Sequence, residues 1–265
     1  MQTIDFNCDL GESFGPYRIG CDADVLPLIS SANVACGFHA GDSTEMRRTV
    51  QLANAHGVAI GAHPGLADIR GFGRCDMAVP AQRVYDDVVY QIGALQAVAV
   101  SQSTRVRHVK PHGALYHMGS DRREYAEAIV QAIAAVDRRL LLFAMAGTEL
   151  AAAGERAGLR VVYEAFADRT YQPDGSLTPR SAGNALIEDA DEALSQVLQM
   201  LRQGSVRATD GSVLPVKAET ICIHGDGVRA LAFAAKIRSG LRQQGIDIQA
   251  WPLENEQCRD GGQSC

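Results

Sequence analysis

The chain has 265 residues and a net charge of −6, with 46% hydrophobic and 21% charged residues. That composition is ordinary for a globular protein and supplies no basic field to attract nucleic acid or an anionic membrane. No apolar run is long enough to cross a bilayer, and MQTIDFNCDL lacks the basic and apolar regions of a signal peptide, so a cytoplasmic protein is expected.

Thr3 to Cys8 reads as the first strand, followed by the loop Asp9-Leu10-Gly11-Glu12. Beyond the loop GPYRIGCDAD, Val25 to Ser30 fits a short helix. Asn33-Val34-Ala35-Cys36 is a second apolar strand, broken by Gly37, with His39 and Asp42 in its loop. Asp42 and Glu45, three apart, predict an N-cap and its N3 partner for a helix running to about His56. Gly57 stops that helix. Val58 to Ala62 is the third strand and ends at His63-Pro64-Gly65. Gly71 and Gly73 mark a tightly turning loop, Pro80 a helix start, and Val84, Val88, Ile92, Leu95 and Val98 the helix itself.

His108 and Val109 begin the fourth strand, which leads into Lys110-Pro111-His112-Gly113. Tyr125, Ala128, Ile129, Ala132, Ile133 and Val136 predict an amphipathic helix. Leu140 to Met145 is a continuous apolar strand, as expected when both faces are covered. Glu149 to Ala157 is a short helix and Arg160 to Phe166 the sixth strand. After the loop ADRTYQPDGSLTPRSAG, Ile187, Ala190, Leu194, Val197, Leu198 and Leu201 mark another helix. Val206 to Val216 reads as a hairpin around Asp210-Gly211. Thr220 to Ile223 is the seventh strand, followed by His224-Gly225-Asp226. An alanine-rich helix to about Gln243 and a strand from Ile246 to Trp251 close the pattern, and 254–265 reads as a disordered tail.

Repeated alternation of strand and helix specifies a parallel sheet with right-handed crossovers. With no composition break, residues 1–253 are expected to form a single α/β domain, a distorted (β/α) TIM-like barrel of about seven parallel strands. An open doubly wound sheet is the alternative. Neither GxGxxG after the first strand nor GxxxxGK[ST] occurs, so no standard nucleotide fingerprint is present. The seven cysteines are odd in number and form no CxxC pair, which argues against a disulfide framework or zinc ribbon. Cys8, Cys36 and Cys222 read as small buried hydrophobes.

Loops after barrel strands open on one face, where active sites sit. That face collects Asn7, Asp9, Glu12, His39, Asp42, His63, Lys110, His112, Glu164, Asp168, Arg169, His224 and Asp226. Four of the seven histidines lie within a few residues of strand ends. Three chemistries fit: histidines with Asp9 holding a divalent metal, a carboxylate base at Asp9, Glu12 or Glu164 with a histidine acid, or stabilisation of an oxyanion or phosphorylated intermediate by Lys110, Arg169 and the histidines. Asp9 and Lys110 are expected at a solvent-reaching mouth. His56 needs only a helix-end dipole contact, His108 reads as structural, and Trp251 as barrel packing.

DFNCDLGESFG at 5–15, SANVACGFHAGD at 31–42, GAHPG at 61–65, GFGR at 71–74, HVKPHGALY at 108–116, EAFADRTY at 164–171, LTPR at 177–180 and ICIHGD at 221–226 together resemble the LamB/YcsF family over roughly residues 3–250. The resemblance implies a distorted barrel of the glycoside hydrolase/deacetylase type. It also implies a cytoplasmic, ATP-dependent hydrolase, the A component of a 5-oxoprolinase, that opens 5-oxo-L-proline to L-glutamate with partner subunits B and C. Magnesium is the expected counter-ion of ATP, and no motif assigns ATP to this chain or to a partner. A five-membered lactam is a poor electrophile, and phosphorylating its amide oxygen makes that oxygen a leaving group. Such a site needs cations (Lys110, Arg169), a base for water (Asp9 or Glu12) and an acid for nitrogen (His112 or His39). Asn7, Asn33, Arg74, Glu164, Asp168, Arg169, Arg180 and Asp226 are the candidate substrate or phosphate contacts. Asp9, His39, His63 and His224 are the candidate metal ligands. Cys75 stands where the family carries a second arginine after GFGR, which leaves a phosphate contact there unsupported. The rival readings are a metal-dependent deacetylase-like hydrolase and a non-catalytic subunit that binds substrate or serves as a scaffold.

Overall fold

The computed structural model describes residues 2–225 and 230–253. Asp226, expected at the pocket, and 254–265, expected as a tail, lie outside the described residues. In chain order the elements are β1 (Gln2–Leu10), a four-residue α1 (Asp22–Val25), β2 (Ser31–Ala35), α2 (Ser43–Ala55), β3 (Ala59–His63), α3 (Ala81–Ser101), β4 (Val106–Val109), α4 (Gly113–Asp121), α5 (Arg123–Val136) and β5 (Leu141–Ala144). They continue with α6 (Glu149–Arg156), β6 (Val161–Phe166), α7 (Ala190–Gln203), the hairpin β7 (Ser205–Arg207) and β8 (Val213–Pro215), β9 (Thr220–His224), α8 (Ala230–Gln243) and β10 (Ile246–Ile248).

Strands β1, β2, β3, β4, β5, β6 and β9 pair in that order, and β9 pairs back onto β1, closing a barrel of seven parallel strands. The closure rules out the open doubly wound sheet. One edge of β1 is shared: β10 takes Gln2 to Ile4, and β9 takes Asp5 to Asp9. The expected cap is present, with Asp42 accepting from the backbone N–H of Thr44 and Glu45 at the start of α2. The hairpin around Asp210-Gly211 also forms, antiparallel and outside the barrel.

Period-2 alternation sorts each strand into an outer and an inner row. On β1, Ile4, Phe6, Cys8 and Leu10 join the main apolar core between strands and helices, while Asp5, Asn7 and Asp9 carry the inner row. Inner-facing residues are mostly polar and hydrogen-bonded to one another. Asp5 accepts from Ser30, Ser31 and Thr220. Asn7 donates to Glu164 and Thr220, and Asn33 donates to Asn7 and Asp9. The floor of the lumen is apolar instead. Leu141, Phe143 and Val162 cluster there with Leu253, and Trp251 packs against them. The chain after β10 thus crosses the N-terminal mouth. Trp251 donates its indole N–H to Glu219 O, and Arg160 lies 4.8 Å over its ring. The final strand is accordingly shorter than expected, and Trp251 closes the floor.

Three further local expectations differ from the structure. The helix expected at Val25 to Ser30 is instead α1 followed by a 3-10 turn over Leu26–Leu28. Helix α4 is not visible in the sequence: it has two glycines and buries Ala114, Leu115, Tyr116, Met118 and Gly119, so it carries no amphipathic stripe. Strand β1 extends to Leu10, which places Asp9 inside the strand and not in the following loop.

His108 of β4 lies in the lumen, stacked on Phe143 at 4.2 Å and donating from Nε2 to Asn33 Oδ1 at 2.8 Å. Gly61 of β3 makes room for it: a Cβ there would meet His108 Nε2 at 2.0 Å. Gly61→Ala is therefore expected to destabilise the fold by ~1–3 kcal/mol or more, read by urea unfolding. Gly93→Ala in α3, where a Cβ meets nothing, is expected to stabilise by about 0.5–1 kcal/mol. Burial, reinforced by Arg107 and Lys110, pushes the His108 pKa down to about 3. A depressed folded value means that His108 favours the folded state above its unfolded pKa of about 6.5, and that this advantage is lost as pH falls toward the folded value. His108→Asn is expected to flatten the acid-side slope of unfolding free energy by about 1.4 kcal/mol per pH unit below pH ~6. An unchanged slope would mean that His108 is protonated in the folded protein.

Candidate functional site

At the C-terminal ends of the strands, a pocket is lined by Asp9, His63, Arg74, Lys110, His112, Tyr116, His117, Phe166, Arg169, Arg180 and His224. The enclosed space is narrow, about 40 Å³, room for little more than a water. A larger cavity, about 1010 Å³, lies at the opposite end of the barrel beside Leu253. Aliphatic residues and arginines line it, and its carboxylate, Asp137, is paired with Arg139 at 2.9 Å. It offers no acid–base pair, whereas the smaller pocket gathers carboxylates, histidines and cations.

The base of that pocket is a buried ion cluster. Lys110 Nζ lies 2.7 Å from Asp9 Oδ1 and 3.4 Å from Glu164 Oε1. It also donates toward Cys222 Sγ at 2.9 Å. Burial works against the Lys110 ammonium, but Asp9 and Glu164 outweigh it and hold its pKa well above the ordinary lysine value. Burial pushes the Cys222 thiol well up, so the sulfur adds no negative charge. For Asp9, burial alone would raise the pKa, yet His63 and Lys110 hold the carboxyl well below its usual range. Asp9 and Lys110 are only 4% and 2% exposed, against the expectation of a solvent-reaching mouth. The reason is that Asp9 is an inner-row strand residue and Lys110 directly follows β4.

On one side stand the histidines. His63 Nδ1 donates to Lys110 O at 2.7 Å, and His112 Nε2 donates to Phe72 O at 2.8 Å. His39 stacks on His112 with ring centroids 3.8 Å apart and places Nε2 3.3 Å from Glu12 Oε1. Burial pushes the pKa of both His39 and His112 well below the ordinary histidine value. On the other side, His224 ends β9, and its Nδ1 lies 2.9 Å from Asp168 Oδ2. The backbone N–H of His224 donates to the same carboxylate.

The four expected metal ligands do not form one set. His39 and His63 group with Glu12 and His112, whereas Asp9 and His224 group with Cys222. His224 comes from β9 and the other histidines from β2 to β4 and their loops, and the two sets adjoin where His63 Nε2 lies 3.3 Å from Asp9 Oδ2.

Over the pocket stand three guanidiniums. Arg169 is buried and donates to Thr178 O at 2.6 Å and Ala185 O at 3.3 Å, which ties it to the long loop after β6. Burial, with Arg180 and Arg74 nearby, pushes its pKa down to about 10. Arg180 is half-buried and Arg74 is exposed. Asn7 and Asn33 are fully buried deeper in the lumen, engaged with Glu164, Thr220, Asp9 and His108, and do not line the pocket. Asp168 holds His224 in place. Cys75 is exposed. Tyr116, His117, Phe166 and Cys222 join the site without having been expected there. Period 2 in TICIH sets Cys222 on the same row as Thr220 and His224, a signal that the sequence does contain.

Lys110→Met would leave two buried carboxylates without their cation. The expected outcome is a loss of about 3–5 kcal/mol of stability by urea unfolding, not the neutral change of a rim residue. A loss under ~1 kcal/mol would show that water reaches the pair.

The sequence profile of the LamB/YcsF family matches residues 4–256. A Bacillus licheniformis protein, named as the A component of 5-oxoprolinase, is 54% identical over 251 residues, covering 95% of this chain and 99% of that one. A Bordetella pertussis protein of the same name is 55% identical over 248 residues, covering 94% and 98%. The crystal structure of a lactam utilization protein from Thermus thermophilus superposes with a TM-score of 0.90 at 45% identity, covering 94% of this chain and 100% of that one. With a profile match across nearly its whole length and relatives above half identity, the chain belongs to the LamB/YcsF family.

Proposed function

We propose that the chain is the A component of a cytoplasmic 5-oxoprolinase, opening 5-oxo-L-proline to L-glutamate with ATP hydrolysis in a complex with subunits B and C. The names carried by its relatives support the lactam. The observation that carries the reading within the molecule is the charge arrangement of the pocket. Three guanidiniums, Arg74, Arg169 and Arg180, line a narrow site whose base holds Lys110, Asp9 and Glu164. Both the carboxylate of 5-oxoproline and a phosphoryl group are anions of the kind that planar guanidiniums recognise.

Within this reading, Asp9 takes the proton of the attacking water. Its carboxylate is ionised and fixed by Asn33 and Lys110, which orients it at the expense of basicity. Lys110 stabilises charge on the former amide oxygen. As the acid for the ring nitrogen the reading takes His112 or His39, and Arg74 and Arg180 stand at the rim of the pocket. Among the described residues no helix is long and apolar enough to cross a membrane. ATP, with magnesium as its counter-ion, is assigned to the assembled complex, because this chain carries no standard nucleotide fingerprint.

The test is glutamate formation from 5-oxoproline and ATP, with and without the partner subunits. Full turnover is expected only in the assembled set, with weak or no activity for the isolated chain. Absence of glutamate in an assembled set that contains this chain would overturn the reading. In the active complex, Asp9→Asn is expected to lower kcat by ~10²–10⁴-fold. Arg180→Ala, at the rim, is expected to lower kcat/KM by ~10–100-fold with an unchanged melting temperature, the scale of one charge-assisted hydrogen bond.

A further inference from the structure

Helix α3 turns Val84, Val88, Ile92, Leu95 and Ala99 into the core, and Gln91 sits among them, fully buried. An amide buried that deeply is costly unless its polar atoms are bonded. Gln91 meets the condition, and two of its three bonds go to a single residue. Its Oε1 accepts from the backbone N–H of Gly65 at 2.9 Å, and its Nε2 donates to Gly65 O at 3.0 Å. Nε2 also donates to Asp87 O, one turn back on the same helix, at 3.0 Å. Strand β3 has ended at His63, so Gly65 lies past the ladder, and the Gln91 amide stands in for a neighbouring strand.

Gly65 is placed where a small shift reaches the histidines. A Cβ on it would meet His39 Nδ1 at 2.5 Å and Cγ at 2.9 Å, so the bare peptide lies against that ring. His39 stacks in turn on His112, with centroids 3.8 Å apart and planes 3° from parallel. The adjoining peptide reaches the same pair by a second route, because Pro64 O accepts from the backbone N–H of His112 at 2.8 Å. His63, which opens this turn, and His112 both line the pocket. His39 Nδ1 has no hydrogen-bond partner. The orientation of that ring therefore depends on its packing and on Nε2 beside Glu12.

We propose that Gln91 is a positioning residue: by clamping the Gly65 peptide from the helix layer, it sets the His39–His112 stack that supplies the acid for the ring nitrogen. It touches neither substrate nor reacting atoms. A methionine would fill the same space on α3 but would leave the Gly65 N–H and C=O without their partners. The turn would then move to find others, and His39 with it. Reacting groups must be held within about 0.5 Å of productive geometry, and a misplacement of about 1 Å is enough to cost ~10²-fold in rate. The effect on turnover rests on the lactam-opening reading, whereas the effect on the rings does not.

Two variants on the same buried face separate positioning from stability. Gln91→Met keeps the bulk and removes all three bonds, while Val88→Ala loosens the core without touching Gly65. Both are assayed in the assembled complex, well below their melting temperatures. Gln91→Met is expected to lower kcat for glutamate formation by ~10–100-fold with KM for 5-oxoproline unchanged, because Arg169 and Arg180 come from the loop after β6. Val88→Ala is expected to keep both constants. In the isolated chain with nitrogen-15-labelled histidine, the ring signals of His39 and His112 are expected to shift or broaden in Gln91→Met, while that of His224 on β9 stays in place. An equal kcat loss in the two variants would reduce Gln91 to a stability role and overturn the proposal. So would an unchanged kcat, or a change confined to KM. If the complex makes no glutamate at all, the lactam reading fails and the ring signals decide, unmoved signals of His39 and His112 ending the positioning role. Should Gln91→Met fail to fold, Gln91→Asn, one methylene too short to span both Gly65 groups, is read in its place.

Discussion

A lysine ammonium buried between two carboxylates sets the terms for the rest of this barrel. Charges cannot be left unpaired away from water, because each isolated ion loses several kcal/mol of hydration. Lys110 therefore requires Asp9 and Glu164 at their observed places, and they in turn require Asn33 and Asn7 to hold them. Those amides extend the network down to His108, Thr220 and, through Thr220, Asp5. The lumen is a hydrogen-bonded column whose upper end is the polar pocket. A partly satisfied network would be worse than an apolar filling, so the residues beneath the pocket are as constrained as those lining it.

Below the column the chemistry changes. Leu141, Phe143, Val162, Leu253 and Trp251 fill the floor with apolar surface. This division keeps water from entering from beneath, where it would screen the Lys110 cluster. It also explains the arrangement of the strands: β1, β4 and β9 carry polar inner rows, while β5 brings only Leu141 and Phe143 inward.

The fold was largely legible because strand–helix alternation is a long-range pattern that survives local error. The cap at Asp42, the helix start at Pro80 and the Asp210-Gly211 hairpin are each written in two or three residues whose stereochemistry permits little else. Depth is harder to read. Asp9 reads as a loop residue because acidic residues avoid apolar strands on average. In D-F-N-C-D, however, alternation already puts Asp5, Asn7 and Asp9 on one row, and a barrel interior tolerates that row once Lys110 faces it. Helix α4 was hidden for the opposite reason, being buried on most sides and interrupted by Gly113 and Gly119. The split of the histidines between two walls depends on which side chains meet across the barrel, and no spacing in a single sequence encodes that distance.

The shared edge of β1 has a consequence for how the chain is made. The earliest-made strand of the barrel is flanked on one side by β2 but on the other by β9 and β10, the latest-made of its sheet. Until residues 220–248 emerge, one row of β1 amides and carbonyls stays open, and the acidic inner row of that strand lacks part of its surroundings. A nascent chain can collapse its first helices onto β1 to β3, but it cannot close. Closure is a non-local event linking opposite ends of the polypeptide, and such contacts are slow to form. The barrel therefore closes only once the segment carrying β9 and β10 has been made and pairs with β1.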